Sequence, residues 1–152
     1  MKPKIHVTRC LAALSFFMVL SSFALMPGTD YFEVYLNNKM VLQESMYNRK
    51  ATPALLLDET STDQLRVYYS HCGATGTSRK ITLKDEQNKS LKEWRFPDVD
   101  KTVKDAMSCS VKEITAFKKG GHTLTLYYSA KESANEVALA PIQWLDKTAS
   151  SN

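Results

Sequence analysis

One stretch holds residues whose types and spacing could do chemistry: His71-Cys72-Gly73-Ala74-Thr75-Gly76-Thr77-Ser78-Arg79. A cysteine, a glycine-bearing loop and a closing arginine are the parts of a phosphate-binding loop with a nucleophile at its start. In such a loop, backbone N–H groups and the guanidinium surround the anion while a depressed pKa keeps the thiol ionised. Arg95-Phe96-Pro97-Asp98 could add a general acid. The spacing argues against this chemistry. Six residues, 73–78, separate Cys72 from Arg79, one too many for a tightly wound cradle. The residues after Arg79 have strand period, where a phosphate loop needs a helix N-terminus behind it. The stretch reads instead as a loop between strands. Gly73 and Gly76 supply its turn conformations, and Thr75, Thr77 and Ser78 hydrogen-bond the local backbone.

The other chemical candidates are thinner. His71, Cys72, Cys109 and His122 are the soft ligands beyond residue 24, but they lack the short spacings of a zinc site, and neighbours on a strand point to opposite sides. Asp98, Asp100 and Asp105 lack the glycine and terminal glutamate of a calcium loop. There is no Gly-x-Ser-x-Gly nucleophile turn. Paired carboxylates leave a small secreted hydrolase as an alternative. The sequence thus assigns no catalytic residue, no metal and no cofactor.

Destination is clearer. Lys2, Lys4 and Arg9 precede an apolar run over residues 11–23, and Ser22-Phe23-Ala24 offers small residues where a signal peptidase cuts. The sequence therefore predicts a signal peptide over 1–24 and a secreted or periplasmic protein. The run falls short of the roughly 20 residues that cross a bilayer, so a membrane is met only through this segment if it stays uncleaved. Removing its three cations from the formal +4 leaves +1, which excludes the basic face of a nucleic-acid binder. Cys72 and Cys109 then remain, and an oxidising compartment predicts a disulfide between them. It would close a loop of about 38 residues, worth roughly 4 kcal/mol in chain-entropy terms.

Strand signals dominate the rest. Residues 31–36 and 39–44 flank Asn37-Asn38, a two-residue hairpin turn. Residues 54–58 form a short buried run. Leu65, Val67 and Tyr69 alternate with Arg66, Tyr68 and Ser70, and Ile81 and Leu83 repeat that period. In 91–96, Trp94 and Phe96 share a face with Leu91 out of phase, which predicts a bulge. Residues 107–111, one helical turn over 112–117, 124–128 and 137–144 complete the series. The expectation is all-β: a single antiparallel β-sandwich of about eight strands over 30–145, with a disordered tail at 146–152.

Two strands share a phrase, Val67-Tyr68-Tyr69-Ser70 and Leu126-Tyr127-Tyr128-Ser129. If both bury their apolar phase, Tyr69 and Tyr128 point inward, while Tyr68 and Tyr127 face out as candidate ligand-binding residues. Residues 81–96, "ITLKDEQNKSLKEWRF", and 109–129, "CSVKEITAFKKGGHTLTLYYS", resemble C-terminal sorting-domain β-sandwiches of gliding bacteria. Gly120-Gly121-His122 stands where those domains carry Gly-x-Tyr, and a further strand follows. The whole mature chain also resembles small exported bacterial proteins of uncharacterised function. The expected role is a non-enzymatic module for binding or cell-surface interaction, its partner an envelope protein or a glycan, with a carbohydrate-binding module as one alternative.

Overall fold

The computed structural model describes residues 28–47, 49–118 and 123–145. The signal peptide expected at 1–24 and the tail expected at 146–152 lie outside the described residues. Nine strands and one short helix occur among the described residues: β1 Tyr31–Leu36, β2 Lys39–Ser45, β3 Leu55–Leu57, β4 Gln64–Ser70, β5 Lys80–Lys84, β6 Ser90–Arg95, β7 Met107–Ser110, α1 Val111–Thr115, β8 Leu124–Ser129 and β9 Val137–Trp144. They form two sheets, ordered β2-β1-β4-β7 and β3-β9-β8-β5-β6. The chain is all-β, but not wholly antiparallel as expected. β3 pairs in parallel with β9, Leu55 against Ile142 and Leu57 against Trp144. A three-residue run arriving by a long connection pairs with whichever edge its buried Leu55 and Leu57 can reach.

The two sheets share one core. Phe32, Val34, Leu65, Val67, Tyr69, Met107 and Cys109 come from the first sheet, and Leu55, Leu57, Ile81, Leu83, Leu124, Leu126, Tyr128 and Ile142 from the second. Strand alternation dictates this partition, because successive side chains leave opposite faces of the pleat. Tyr69 and Tyr128 both point inward, as expected, and stack with ring centroids 4.0 Å apart. The predicted bulge in β6 is present: Leu83 pairs with Lys92 and Lys84 with Ser90, leaving Leu91 extra.

A second bulge makes a lock. The β8–β9 register shifts after Leu126, so Leu139 is extra and nearby carbonyls leave the ladder. Arg49, on the connection after β2, donates to Ala138 O and Leu139 O at 2.5 Å each, and its guanidinium lies 5.1 Å from the Phe32 ring centroid. One cation thereby joins the first sheet to the last strand.

The expected Cys72–Cys109 disulfide is not formed; both thiols are free. Register explains why. Cys109 pairs beside Leu65 on β4, whereas Cys72 lies seven residues further along the same chain path. At a rise of about 3.3 Å per residue, that places the two some 20 Å apart, well beyond bridging reach. Cys109 is a core residue, and burial pushes its thiol pKa up to about 12.

Candidate functional site

The 71–79 loop has a structural role first. His71 and Ala74 exchange backbone hydrogen bonds of 2.8 and 3.0 Å, closing a turn on Cys72 (φ 52°) and Gly73 (φ 92°). Both central φ values are positive, as a type I′ turn requires, and Gly73 adopts its value at no steric cost. Gly76 serves differently from the turn role expected of it. A Cβ there would lie 2.8 Å from Tyr128 Oη and 2.9 Å from Ala130 Cβ, so it is glycine because side chains close over it.

No phosphate cradle forms around this loop. Arg79 is buried, and its guanidinium donates to Pro97 O (2.9 Å), Asp105 O (3.2 Å) and Asp105 Oδ2 (2.7 Å). The Cys72 thiol donates to Gly28 O at 2.6 Å, and desolvation together with Asp30 raises its pKa, opposite to what a nucleophile needs. The expected local bonds of the hydroxyl residues are also replaced by longer-range ones. Thr75 N–H donates to Lys101 O and Thr75 Oγ1 to Val103 O. Thr77 bonds Glu132, and Ser78 N–H donates to Asp98 Oδ1. Residues 75–79 thus grip the strap formed by residues 97–105 at several points along its length.

The aspartates and histidine weighed as metal ligands are likewise engaged separately. Asp98 holds Ser78, Asp100 caps Thr102 and Asp105 holds Arg79. His71 lies between Asp30 Oδ2 (3.1 Å from Nδ1) and Tyr128 Oη (2.9 Å from Nε2). That connectivity has the form of an acid–base relay, yet Tyr128 is fully buried, and burial holds its phenol well above the usual range. The relay ends on a hydroxyl with no access to a substrate, so it pins Asp30 to the interior. Among the described residues, no group of three or more His, Cys, Asp or Glu side chains could hold a metal ion.

The strap delivers Lys104 onto the outer face of the first sheet. β1 turns Tyr31, Glu33 and Tyr35 outward, and the β1–β4 register sets them against Ser70, Tyr68 and Arg66. Lys104 Nζ lies 2.6 Å from Glu33 Oε2 and 4.8 Å from the centroid of the Tyr68 ring. Tyr35 Oη donates to the same Glu33 oxygen at 2.9 Å and meets Tyr68 edge to face, with centroids 5.5 Å apart and planes at 78°. Burial of Glu33 opposes its ionisation, but the bonds from Lys104 and Tyr35 outweigh it and hold the carboxyl below its ordinary value. Tyr68 and Lys104 border two hollows. One, of ≈ 290 Å³, is lined by Tyr35, Asn38, Arg66, Tyr68 and Lys104. The other, of ≈ 70 Å³, runs toward Tyr31, Ser70 and Thr102.

Tyr127 is not part of this site. It sits on β8 in the second sheet, outward as expected, with Lys84 Nζ 4.9 Å from its ring centroid. With Tyr69 and Tyr128 stacked between the sheets, Tyr68 and Tyr127 emerge on opposite outer faces, so one ligand cannot stack on both. Tyr31, Glu33 and Tyr35 carried a readable signal, since they alternate with buried Phe32 and Val34. Lys104 carried none, because it lies in an aperiodic charged segment whose path is fixed by Arg79. No known protein family, curated protein or solved structure matches the chain.

Proposed function

We propose that this chain is an exported, non-enzymatic binding module, a single β-sandwich over 30–145 that follows a signal peptide at 1–24. Its binding surface is the outer face of the first sheet around Tyr68. One observation carries the reading: two outward tyrosines, Tyr35 and Tyr68, and a lysine brought in by a clamped strap and paired with buried Glu33 converge on a hollow of ≈ 290 Å³. Aromatic faces with a few fixed polar groups are the usual composition of a small-ligand site. Retention of the protein on cell-envelope fractions and glycan arrays tests it. Tyr68→Ala should abolish retention while melting close to the parent temperature, and Tyr127→Ala should not. Equal retention in both variants would move the site elsewhere.

A protein partner at the β2 edge is the second reading. Among the described residues β2 pairs only with β1, and Met40 and Val41 are 46% and 39% exposed there. Open edges recruit strands. Here, however, the register jumps from Val34–Leu42 to Tyr35–Met40, leaving Val41 extra, and such a bulge blunts an edge. A proline at Gln43 that abolishes capture of an envelope protein, with Tyr68→Ala silent, would favour this reading.

A further inference from the structure

The reading of the Tyr68 face as a binding surface leaves its ligand open, and the chemistry of the larger hollow narrows it. Among the described residues, two cations, Arg66 and Lys104, line the hollow, and no carboxylate does. Glu33, beside Tyr68 on the neighbouring strand, is already bonded to Lys104 and Tyr35. Arg66 is held rigidly. Its Nε donates to Asn37 O at 2.9 Å, and its Nη2 reaches Asn37 O and Asn38 Oδ1. Those bonds leave Nη1 without a hydrogen bond among the described residues. The turn that fixes the guanidinium is itself tied down, since Asn37 bonds Asp63 and the Gln64 backbone.

The walls set the shape of the occupant. Tyr35 and Tyr68 stand at 78° to one another, two amphipathic rings forming a corner, and Asn38 also lines the hollow. A volume of ≈ 290 Å³ is at the lower end for small-ligand sites, roughly 300 Å³ upward, so one ring fits and a folded peptide does not. Lys104 decides the charge. Its ammonium already lies over Tyr68, so a neutral ring stacking there must displace a cation–π contact. An anionic ring can pair with the ammonium instead of displacing it.

We infer that this hollow binds an acidic sugar residue, its ring in the Tyr35–Tyr68 corner and its carboxylate between Lys104 and Arg66 Nη1. The inference rests on the Tyr68 face being the binding surface, and a matched pair of probes separates the two. Titration calorimetry with trigalacturonate and with its methyl ester compares the same sugar with and without charge. The acid form should bind at least about tenfold more tightly, the effect of one charge-assisted hydrogen bond. Raising the salt concentration should narrow that gap.

Arg66→Gln should weaken the acid form about tenfold and leave the ester unchanged. Lys104→Arg keeps the cation and should keep most of the preference, while the unchanged ester affinity of Arg66→Gln controls for disruption of the turn. Equal binding of acid and ester, or unaltered acid binding by Arg66→Gln, overturns the acidic-sugar assignment. So does binding of poly-glutamate as tight as that of trigalacturonate, which would assign the cations to a peptide. In all of these cases the binding-surface reading stands if Tyr68→Ala still loses envelope retention, and falls with the assignment if it does not. Failure of both probes to bind, with Tyr68 still required for retention, overturns only the sugar class.

Discussion

The two outer faces of the molecule carry the same device and put it to different ends. On the first sheet Lys104 lies over Tyr68 and pairs with Glu33; on the second Lys84 lies over Tyr127 and pairs with Glu136. The surroundings differ. Tyr127 pairs with Thr82, which is buried, and the same sheet carries the ion pair Lys80–Glu93. That face is tiled by the strands' own side chains. Tyr68 instead meets Tyr35 across a corner, and its lysine arrives from a strap that no strand register controls. A strand phrase fixes which way a tyrosine points, whereas the loop laid over it determines whether a cavity forms beside it.

The strongest way to break this contrast is to release the strap. Arg79→Met removes one partner of a buried ion pair and orphans the Pro97 and Asp105 carbonyls. We expect a loss of about 3 kcal/mol, the lower end for such a pair because Asp105 is partly exposed. Hydrogen exchange should quicken in residues 97–105 and not in β8; slowed or unchanged exchange in the strap would show that Arg79 does not hold it. Gly76→Ala comes next. Its Cβ would press on Tyr128, Ala130 and His71, and overpacking of this kind costs about 1–3 kcal/mol. A melting temperature equal to the parent's would mean those side chains yield freely.

Acid should separate the faces more finely. Glu33 and Glu93 both have pKa values below their ordinary 4.5, Glu33 through Lys104 and Tyr35 against the cost of burial, Glu93 chiefly through Lys80. A depressed carboxyl stabilises fully above its unfolded value and loses that contribution as pH falls through the folded one. Stability should therefore drop below pH 4.5, and Glu33→Gln should flatten that limb. Lys104 is raised above its ordinary 10.5 by Glu33, so its share is complete below 10.5 and fades at higher pH. An acid limb unchanged in Glu33→Gln would remove this account.

The smallest effect belongs to Lys84. Lys84→Met should change stability by no more than about 1 kcal/mol, as for a surface pair, and leave retention at the Tyr68 face untouched. Differential thiol labelling with peptide mapping gives an independent check of the register: Cys72 should react in the native protein and Cys109 only after unfolding.

Much of this was legible in local pattern. Alternation alone gave Tyr69 and Tyr128 as inward and Tyr68 and Tyr127 as outward, and the phase slip at Leu91 gave a bulge. These are properties of a single strand, set by neighbouring residues. What escaped depends on pairing between distant segments. Nothing in the shared Tyr-Tyr-Ser phrase says that its two copies lie in different sheets, which is why Tyr68 and Tyr127 could be taken for one site. Cysteine counting predicted a bridge that the β4–β7 register forbids. Thr75 and Thr77 were read as local hydrogen-bonders because turns favour such bonds, yet their partners lie 28 and 55 residues away.

The lock made by Arg49 bears on the order of folding. Its carbonyl partners belong to β9, which also supplies the only strand paired with β3 among the described residues. Until Val137–Trp144 has been synthesised, Leu55, Leu57 and Arg49 have nowhere to go. Docking of these groups must then await closure of loops of some 80 to 90 residues, a slow step by any topological measure. A nascent chain of this design cannot complete its second sheet until Val137–Trp144 emerges, so its core closes late in synthesis.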